Sequence, residues 1–163
     1  MEPGTCKSML ERIRAIRLQE IAGDIIDQNL DVLRQYNLDQ LMQGKNNIGE
    51  MLSPKHSENP WFKKPGAAGR YAAWKHRLNP LAPFDVPDLR ITGVYHESIS
   101  FTRRGDIVAA EASASFAPSI EATFNGTPLG LDEESMEKTW QEVIKSPMLH
   151  ILADKIGCDV GTE

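Results

Sequence analysis

The sequence predicts an α+β fold: a long N-terminal helix, a small antiparallel β-sheet with a hairpin, and C-terminal helices. Three observations carry this expectation. Apolar residues recur at three- and four-residue steps over 7–35, the spacing of one helix face. Two short runs, Ser98-Ile99-Ser100-Phe101-Thr102 and Ile107-Val108-Ala109-Ala110-Glu111-Ala112, flank Arg103-Arg104-Gly105-Asp106, a hairpin signal with Gly in the turn. Asp132 precedes the acidic Glu133-Glu134, the signature of a capped helix start whose charges complement the helix dipole. A chain of 163 residues holds one core, so 1–163 reads as a single α+β domain. Within it lie the long helix at 7–35, a Pro/aromatic/basic insert and connector at 53–88, and the hairpin with C-terminal helices at 89–156.

In the first helix Leu10, Ile13, Leu18, Ile21, Ala22, Ile25, Ile26, Leu30 and Leu33 form the apolar stripe. Ser8 with Glu11 fits a capping box, and Asn37 fits the C-terminal stop because Asn tolerates the left-handed conformation found there. At about 1.5 Å per residue such a helix would be a rod of roughly 40 Å, long enough for its far part to pack on a neighbouring subunit. Residues 39–52 then reverse direction around Lys45-Asn46-Asn47, as a short two-stranded hairpin or an irregular turn. Pro54, Pro60 and Pro65 keep 53–65 out of regular structure. The stretch 66–78 suits a short amphipathic helix, with Tyr71, Trp74 and Leu78 on one side and Arg70, Lys75 and Arg77 elsewhere. Pro80, Pro83 and Pro87 mark an extended connector. Residues 89–95 are ambiguous between a turn at Thr92-Gly93 and the opening of a strand. After the hairpin, Ala114-Ser115 continues its second strand and 119–124 makes a short helical turn ended by Asn125-Gly126. The helix over 133–144 is interrupted at Ser146-Pro147, with Pro at a first helical position, and a further helix runs from 148 to about 156.

Composition narrows the class. Hydrophobic residues make up 40% and charged residues 25%, ordinary for a packed domain and against wholesale disorder. No apolar run approaches 18 residues, and 1–8 lacks the apolar core of a secretory signal, so membrane-spanning and secreted readings are weak. Cys6 and Cys158, near opposite ends, read as free thiols of a reducing compartment in preference to a bridge. Charge is unevenly spread. Between 55 and 77 stand Lys55, Lys63, Lys64, Arg70, Lys75 and Arg77 against Glu58 alone, while the chain beyond 121 is strongly acidic. Copies of such a molecule can meet basic face to acidic face, a head-to-tail contact that makes rings or filaments. An unevenly charged solvated surface is the plainer alternative.

No catalytic constellation is legible. The chain has no CxxC, no HExxH, no Gly-rich phosphate loop and no GxSxG. His56, His76, His96 and His150 are scattered, and in His96-Glu97 neighbouring side chains point apart, poorly placed to act on one atom. Asp85/Asp88 and Asp24/Asp27/Asp31 are carboxylate clusters, and the second set, at helical spacings on a polar face, reads as solvated charge rather than a metal site. Arg104-Gly105-Asp106 matches an adhesive tripeptide, but a hairpin turn accounts for it. The reading is therefore of a non-enzyme, with no catalytic residue, no metal and no cofactor.

The segment 43–78 is the most distinctive part, basic and aromatic inside an acidic protein. Its interface candidates are Trp61, Phe62, Lys63, Lys64, Arg70, Tyr71, Trp74, Lys75 and Arg77, with Arg103 and Arg104 from the hairpin. Three readings stay open: the aromatics fill a small core, anchor a protein interface, or stack on nucleic acid while the cations meet phosphates. A net charge of −5 opposes general affinity for polyanions.

The order of elements resembles the tail-completion and head–tail connector (neck) proteins of tailed bacteriophages. A long N-terminal helix leads to Leu41-Met42-Gln43-Gly44 and a reversal at Asn46-Asn47-Ile48-Gly49, then a variable Pro/Lys/aromatic insert. Next comes Pro87-Asp88-Leu89-Arg90-Ile91-Thr92-Gly93-Val94-Tyr95-His96-Glu97-Ser98-Ile99, similar to a T-G-x-x-x-x-S-I phrase of those proteins. The hairpin at 98–115, a helical turn and a C-terminal helix complete a likeness over 7–156, in which the insert at 55–77 is longer than the pattern. The resemblance implies a structural virion protein, made in the cytoplasm of a bacterial host, that forms a homo-oligomeric ring. Its implied partners are phage connector and tail-tube proteins, with contact to DNA passing through and no membrane. The rival expectation is a nucleic-acid-binding or DNA-packaging accessory protein.

Overall fold

A computed structural model describes residues 11, 13–124 and 128–157. The class is α+β: helices surround one two-stranded antiparallel sheet. Ser8, Cys6, Cys158 and Asn125-Gly126, singled out in the sequence, lie outside the described residues.

The single long helix is not formed. Residues 15–17 leave the helical path, α1 spans Leu18–Asp27, and α2 spans Leu30–Met42. The break between them has a local cause. Asn29 turns its side chain back, and its Nδ2 donates to the Ile25 carbonyl at 2.7 Å, supplying by side chain what the next helical amide would otherwise give. The break also serves two cores. Ile21 and Ile25 of α1 pack on Val143, whereas Leu33 and Leu41 of α2 pack with Tyr95, Ile99 and Phe101. A straight rod would have to serve both in one direction.

Helix α2 also runs through Asn37, which is buried and donates to the carbonyls of Pro128 at 3.1 Å and Gly130 at 2.7 Å. The stop comes at Gly44, with φ of 74°. The Gly44 amide donates to Leu41 O at 2.9 Å and the Lys45 amide to Gln40 O at 3.1 Å, the paired bonds of a Schellman end. A Cβ on Gly44 would lie 2.6 Å from Val86 Cγ1, so close approach as well as conformation demands glycine. The reversal after it is held by one antiparallel bridge, Lys45 to Met51, around Asn46, whose Oδ1 accepts from the amides of Ile48 at 3.1 Å and Glu50 at 2.9 Å.

Helix α3 spans Ala67–Leu78 and the short α4 spans Val94–Ser98. The hairpin forms with β1 at Ile99–Arg104 and β2 at Ile107–Ala112, in the register Ile99 to Ala112 through Arg104 to Ile107. Gly105 and Asp106 make a two-residue turn. The second strand ends at Ala112 and does not continue through Ala114-Ser115, because Ala114 and Phe116 carbonyls already accept from the first turns of α5, Ala117–Thr123. Arg34 of α2 locks the base of the hairpin, donating to Ile99 O at 2.7 Å and His96 O at 3.1 Å.

At the C-terminal end α6, Glu133–Lys138, is capped as expected: Asp132 Oδ1 accepts from the Ser135 amide at 2.8 Å. Ser146-Pro147 does not interrupt the helical path. A wide π turn, Thr139–Ile144, leads directly into α7, Lys145–Ile156. Pro147 is the third residue of α7, just past the junction where the wide π turn gives way to α geometry. No helix of the described residues is long and apolar enough to cross a membrane.

Candidate functional site: an aromatic groove beside a buried ion pair

The segment 53–91 wraps one side of the molecule, and α3 decides its chemistry. The expected apolar face of Tyr71, Trp74 and Leu78 is not the buried one. The helix turns Ala72 and Lys75 inward, with Asn79 just past its end, and leaves Trp74 and Leu78 exposed. A lysine is tolerated inside because Asp88 meets it. Lys75 is only 6% exposed and its Nζ lies 2.5 Å from Asp88 Oδ1, with a further short bond from Nζ to the Arg90 carbonyl. Asp88 also accepts from Asn79 Nδ2 at 2.9 Å and from the Arg90 amide at 3.0 Å. Burial alone would raise the Asp88 pKa, but the bonds from Lys75, Asn79 and the Arg90 amide outweigh it and hold the carboxyl below its ordinary range. Asn79 completes the junction by donating to Met42 O at the end of α2, at 2.7 Å.

Two histidines flank this centre in different ways. His96 Nε2 lies 2.9 Å from Asp88 O, and a carbonyl can only accept, so that nitrogen carries the proton. His56 is 7% exposed, and its Nε2 has no hydrogen-bond partner within the fold. Burial is the main cause that lowers the pKa of both rings, which favours neutral imidazoles. The turn carrying His56, a single 3₁₀ turn at His56–Glu58, is pinned to the connector. The His56 amide donates to Asp85 O at 3.0 Å, the Ser57 amide to Asp85 Oδ1 at 3.0 Å, and the Ser57 hydroxyl to Asp85 Oδ2.

Above the ion pair a run of rings forms the wall of a groove. His56 meets Tyr71 edge-on with centroids 4.9 Å apart, Phe62 and Tyr71 are 5.1 Å apart, and Tyr71 and Trp74 are 5.5 Å apart. His56, Phe62 and Tyr71 of this run, but not Trp74, line a cavity of about 420 Å³ together with Trp61, Leu89, Ile91 and Phe124, and Lys75, Asp88 and Arg90 also border it. The lining is overwhelmingly apolar even though the cavity opens to solvent.

The sequence-predicted candidates therefore divide. Phe62 and Tyr71 are half-buried in the ring cluster, while Trp61 is 87% exposed at its edge and Trp74 also reaches solvent. Lys63, Lys64, Arg70 and Arg77 are exposed, whereas Lys75 belongs to the interior. Arg103 is drawn to another face, where it grips Asp27 with two bonds, of 3.0 and 2.6 Å, and lies so close over Gly23 that a Cβ there would be 2.6 Å from its Nη1. Arg104 pairs with Glu111 at 3.2 Å on the exposed hairpin. Sequence reasoning passed over His56, Arg90, Ile91 and Phe124 as members of one groove. Asp88 stood out only as a carboxylate near Asp85, and nothing local announced Lys75 as its partner.

Among the described residues no group of three His, Cys, Asp or Glu side chains is placed to hold a metal ion. His96 faces the core while Glu97 is exposed, so the two are not joined on one atom. No family model, no curated protein and no solved structure matches this chain.

Proposed function

We propose that this chain is a structural virion protein of a tailed phage, a ring-forming subunit of the tail-completion or head–tail joining kind that works through protein–protein contacts. One observation carries the assembly reading. Across 61–91 the chain exposes Trp61, Leu78, Leu81, Phe84 and Ile91, the last 68% exposed, interleaved with Lys63, Lys64, Arg70 and Arg77. Scattered apolar side chains at a surface need no explanation, but with Trp74 the segment exposes six large ones, of which Trp61 and Ile91 line an apolar groove, and that is what a contact surface requires. The phage assignment is supported by the sequence of hairpin, helical turn and C-terminal helix and by Thr92-Gly93 to Ser98-Ile99, a phrase that here opens α4 at Gly93 and ends at the first residue of β1, although the long helix that heads the pattern is broken into α1 and α2. The role is mechanical: the groove and its cations meet the next subunit, a connector or a tail-tube protein, and no side chain breaks a bond.

Negative-stain images and mass photometry of the purified chain, taken over rising concentration, are expected to show rings of fixed copy number. A nucleic-acid-binding accessory protein is the rival. Salt-sensitive binding of double-stranded DNA by a monomer, lost in Lys63→Glu/Lys64→Glu/Arg70→Glu, would decide for it.

A further inference from the structure

A groove that is apolar inside and positive at its edge asks for a partner that is apolar at its tip and negative around it. Arg90 lines the groove together with the ion-paired Lys75, and Lys63, Lys64 and Arg70 are exposed within two residues of its Phe62 and Tyr71; Lys63, Lys64, Arg70 and Arg90 have no ion-pair partner among the described residues. The complement exists on the same chain, on another element. Met136 and Trp140, four residues apart along α6 and the π turn, are 55% and 44% exposed. Around them the carboxylates differ. Glu134 is met by Lys45 and Lys138, and Glu142 accepts from the Tyr36 hydroxyl at 2.6 Å. Glu133 and Glu137 have no ion-pair partner among the described residues. The wide π turn carries Trp140 itself, and such turns recur where a helix presents side chains for a purpose.

We propose that the Met136/Trp140 knob of one copy seats in the groove lined by Trp61, Tyr71 and Phe124 of the next, with Glu133 and Glu137 meeting Lys63, Lys64 and Arg70. The inference rests on the ring-forming reading above and names the two surfaces that meet. The surfaces differ, so the contact is heterologous: every copy offers one knob and one groove, and the chain of contacts continues until rotation closes it. A large aromatic side chain entering a water-excluding pocket is the residue type that dominates such contacts. A nucleic-acid duplex, its bases already stacked and paired, would satisfy the cations and leave the groove unfilled, and a small apolar molecule would fill the groove and leave the cations unmet. A second copy satisfies both.

The test uses the full chain and sedimentation velocity. Glu133→Lys/Glu137→Lys and Lys63→Glu/Lys64→Glu should each weaken self-association by about tenfold or more, and Trp140→Ala likewise. Circular dichroism and thermal melts of each variant establish that the monomer is folded. An equimolar mixture of the two charge-reversed proteins should regain association, because the basic knob of one then meets the acidic groove of the other. Wild-type rings indifferent to Trp140→Ala, or a mixture that stays dissociated, overturn this contact and leave the ring reading standing. A wild type that remains monomeric at the highest attainable concentration overturns both. Binding of a DNA duplex that quenches Trp61, with association unaltered by the substitutions, gives the groove to another occupant and overturns the contact.

Discussion

Beneath the hairpin, Leu33, Leu41, Tyr95, Ile99 and Phe101 are shut away from water, while the charges of that side, Arg103 and Asp27, meet at the surface. Across 53–91 the arrangement is reversed: Lys75 and Asp88 are buried, and Trp61, Leu81, Phe84 and Ile91 face solvent. The first region is what folding alone selects, since burying apolar area is the main favourable contribution. The second gives its interior to an ion pair and leaves apolar area uncovered, which makes sense for a surface completed by another molecule. The contrast teaches where to look for function in this chain: at the side whose polarity is inverted.

The largest effect should come from breaking the inverted side at its centre. Asp88→Ala leaves the Lys75 ammonium buried without its carboxylate, and urea unfolding should show a loss of about 3–5 kcal/mol. Lys75→Met together with Asp88→Asn removes both charges and should recover most of that loss, because a buried pair contributes less than its halves cost when separated. A double variant as unstable as Asp88→Ala would mean that the site depends on something other than the charge pair. The hairpin side should answer differently, by volume alone. Leu41 is fully buried, and Leu41→Ala should lose about 2–5 kcal/mol with no dependence on salt or pH.

Two smaller effects sharpen the contrast. Gly44 joins the two regions, and Gly44→Ala places a side chain in a left-handed backbone, which alone costs about 1–2 kcal/mol, and against Val86, which adds to that loss in thermal melting. The pH profile belongs to the inverted side. His56 and His96 are both held below the ordinary 6.5, so the unfolded chain takes up protons first and stability falls as pH drops through 6.5. Asp88 is held below 3.8, so its contribution is present above that value and is lost on further acidification. Melting temperature should therefore decline from about pH 7 to pH 5, and less so in His96→Gln, which keeps a donor for Asp88 O without a titrating ring. A profile unchanged by that substitution would show that His96 does not contribute.

Legibility in the sequence divides along the same line. The hairpin was readable because its first strand alternates and its Gly-containing turn is local, and the Asp132 cap because it reaches only three residues along the chain. The helix at 67–78 was readable as a helix, but its inner face was not. Apolar periodicity pointed to Trp74 and Leu78, and only an aspartate thirteen positions beyond Lys75 makes a lysine acceptable inside. The break at Asn29 was hidden for a related reason. The apolar stripe runs on across it, so nothing in the period marks that Ile25 and Leu33 serve different cores. The groove was half legible: the sequence singled out Trp61, Phe62 and Tyr71, but Ile91 and Phe124 join them only through the folding of the connector and α5.

The smallest expected effect on stability is the most informative about function. Trp61 is nearly bare of neighbours, so Trp61→Ala should change the unfolding free energy by less than about 0.5 kcal/mol. In a region organised only for its own folding, a tryptophan so exposed would be dispensable in every assay. In a region organised for a partner, the same substitution should abolish ring formation in mass photometry while the melting curve overlays that of the wild type. Rings that persist in Trp61→Ala at wild-type concentration dependence would remove the groove edge from the contact. A large drop in melting temperature would show instead that Trp61 packs against the fold, and the distinction between the two regions would lose its sharpest example.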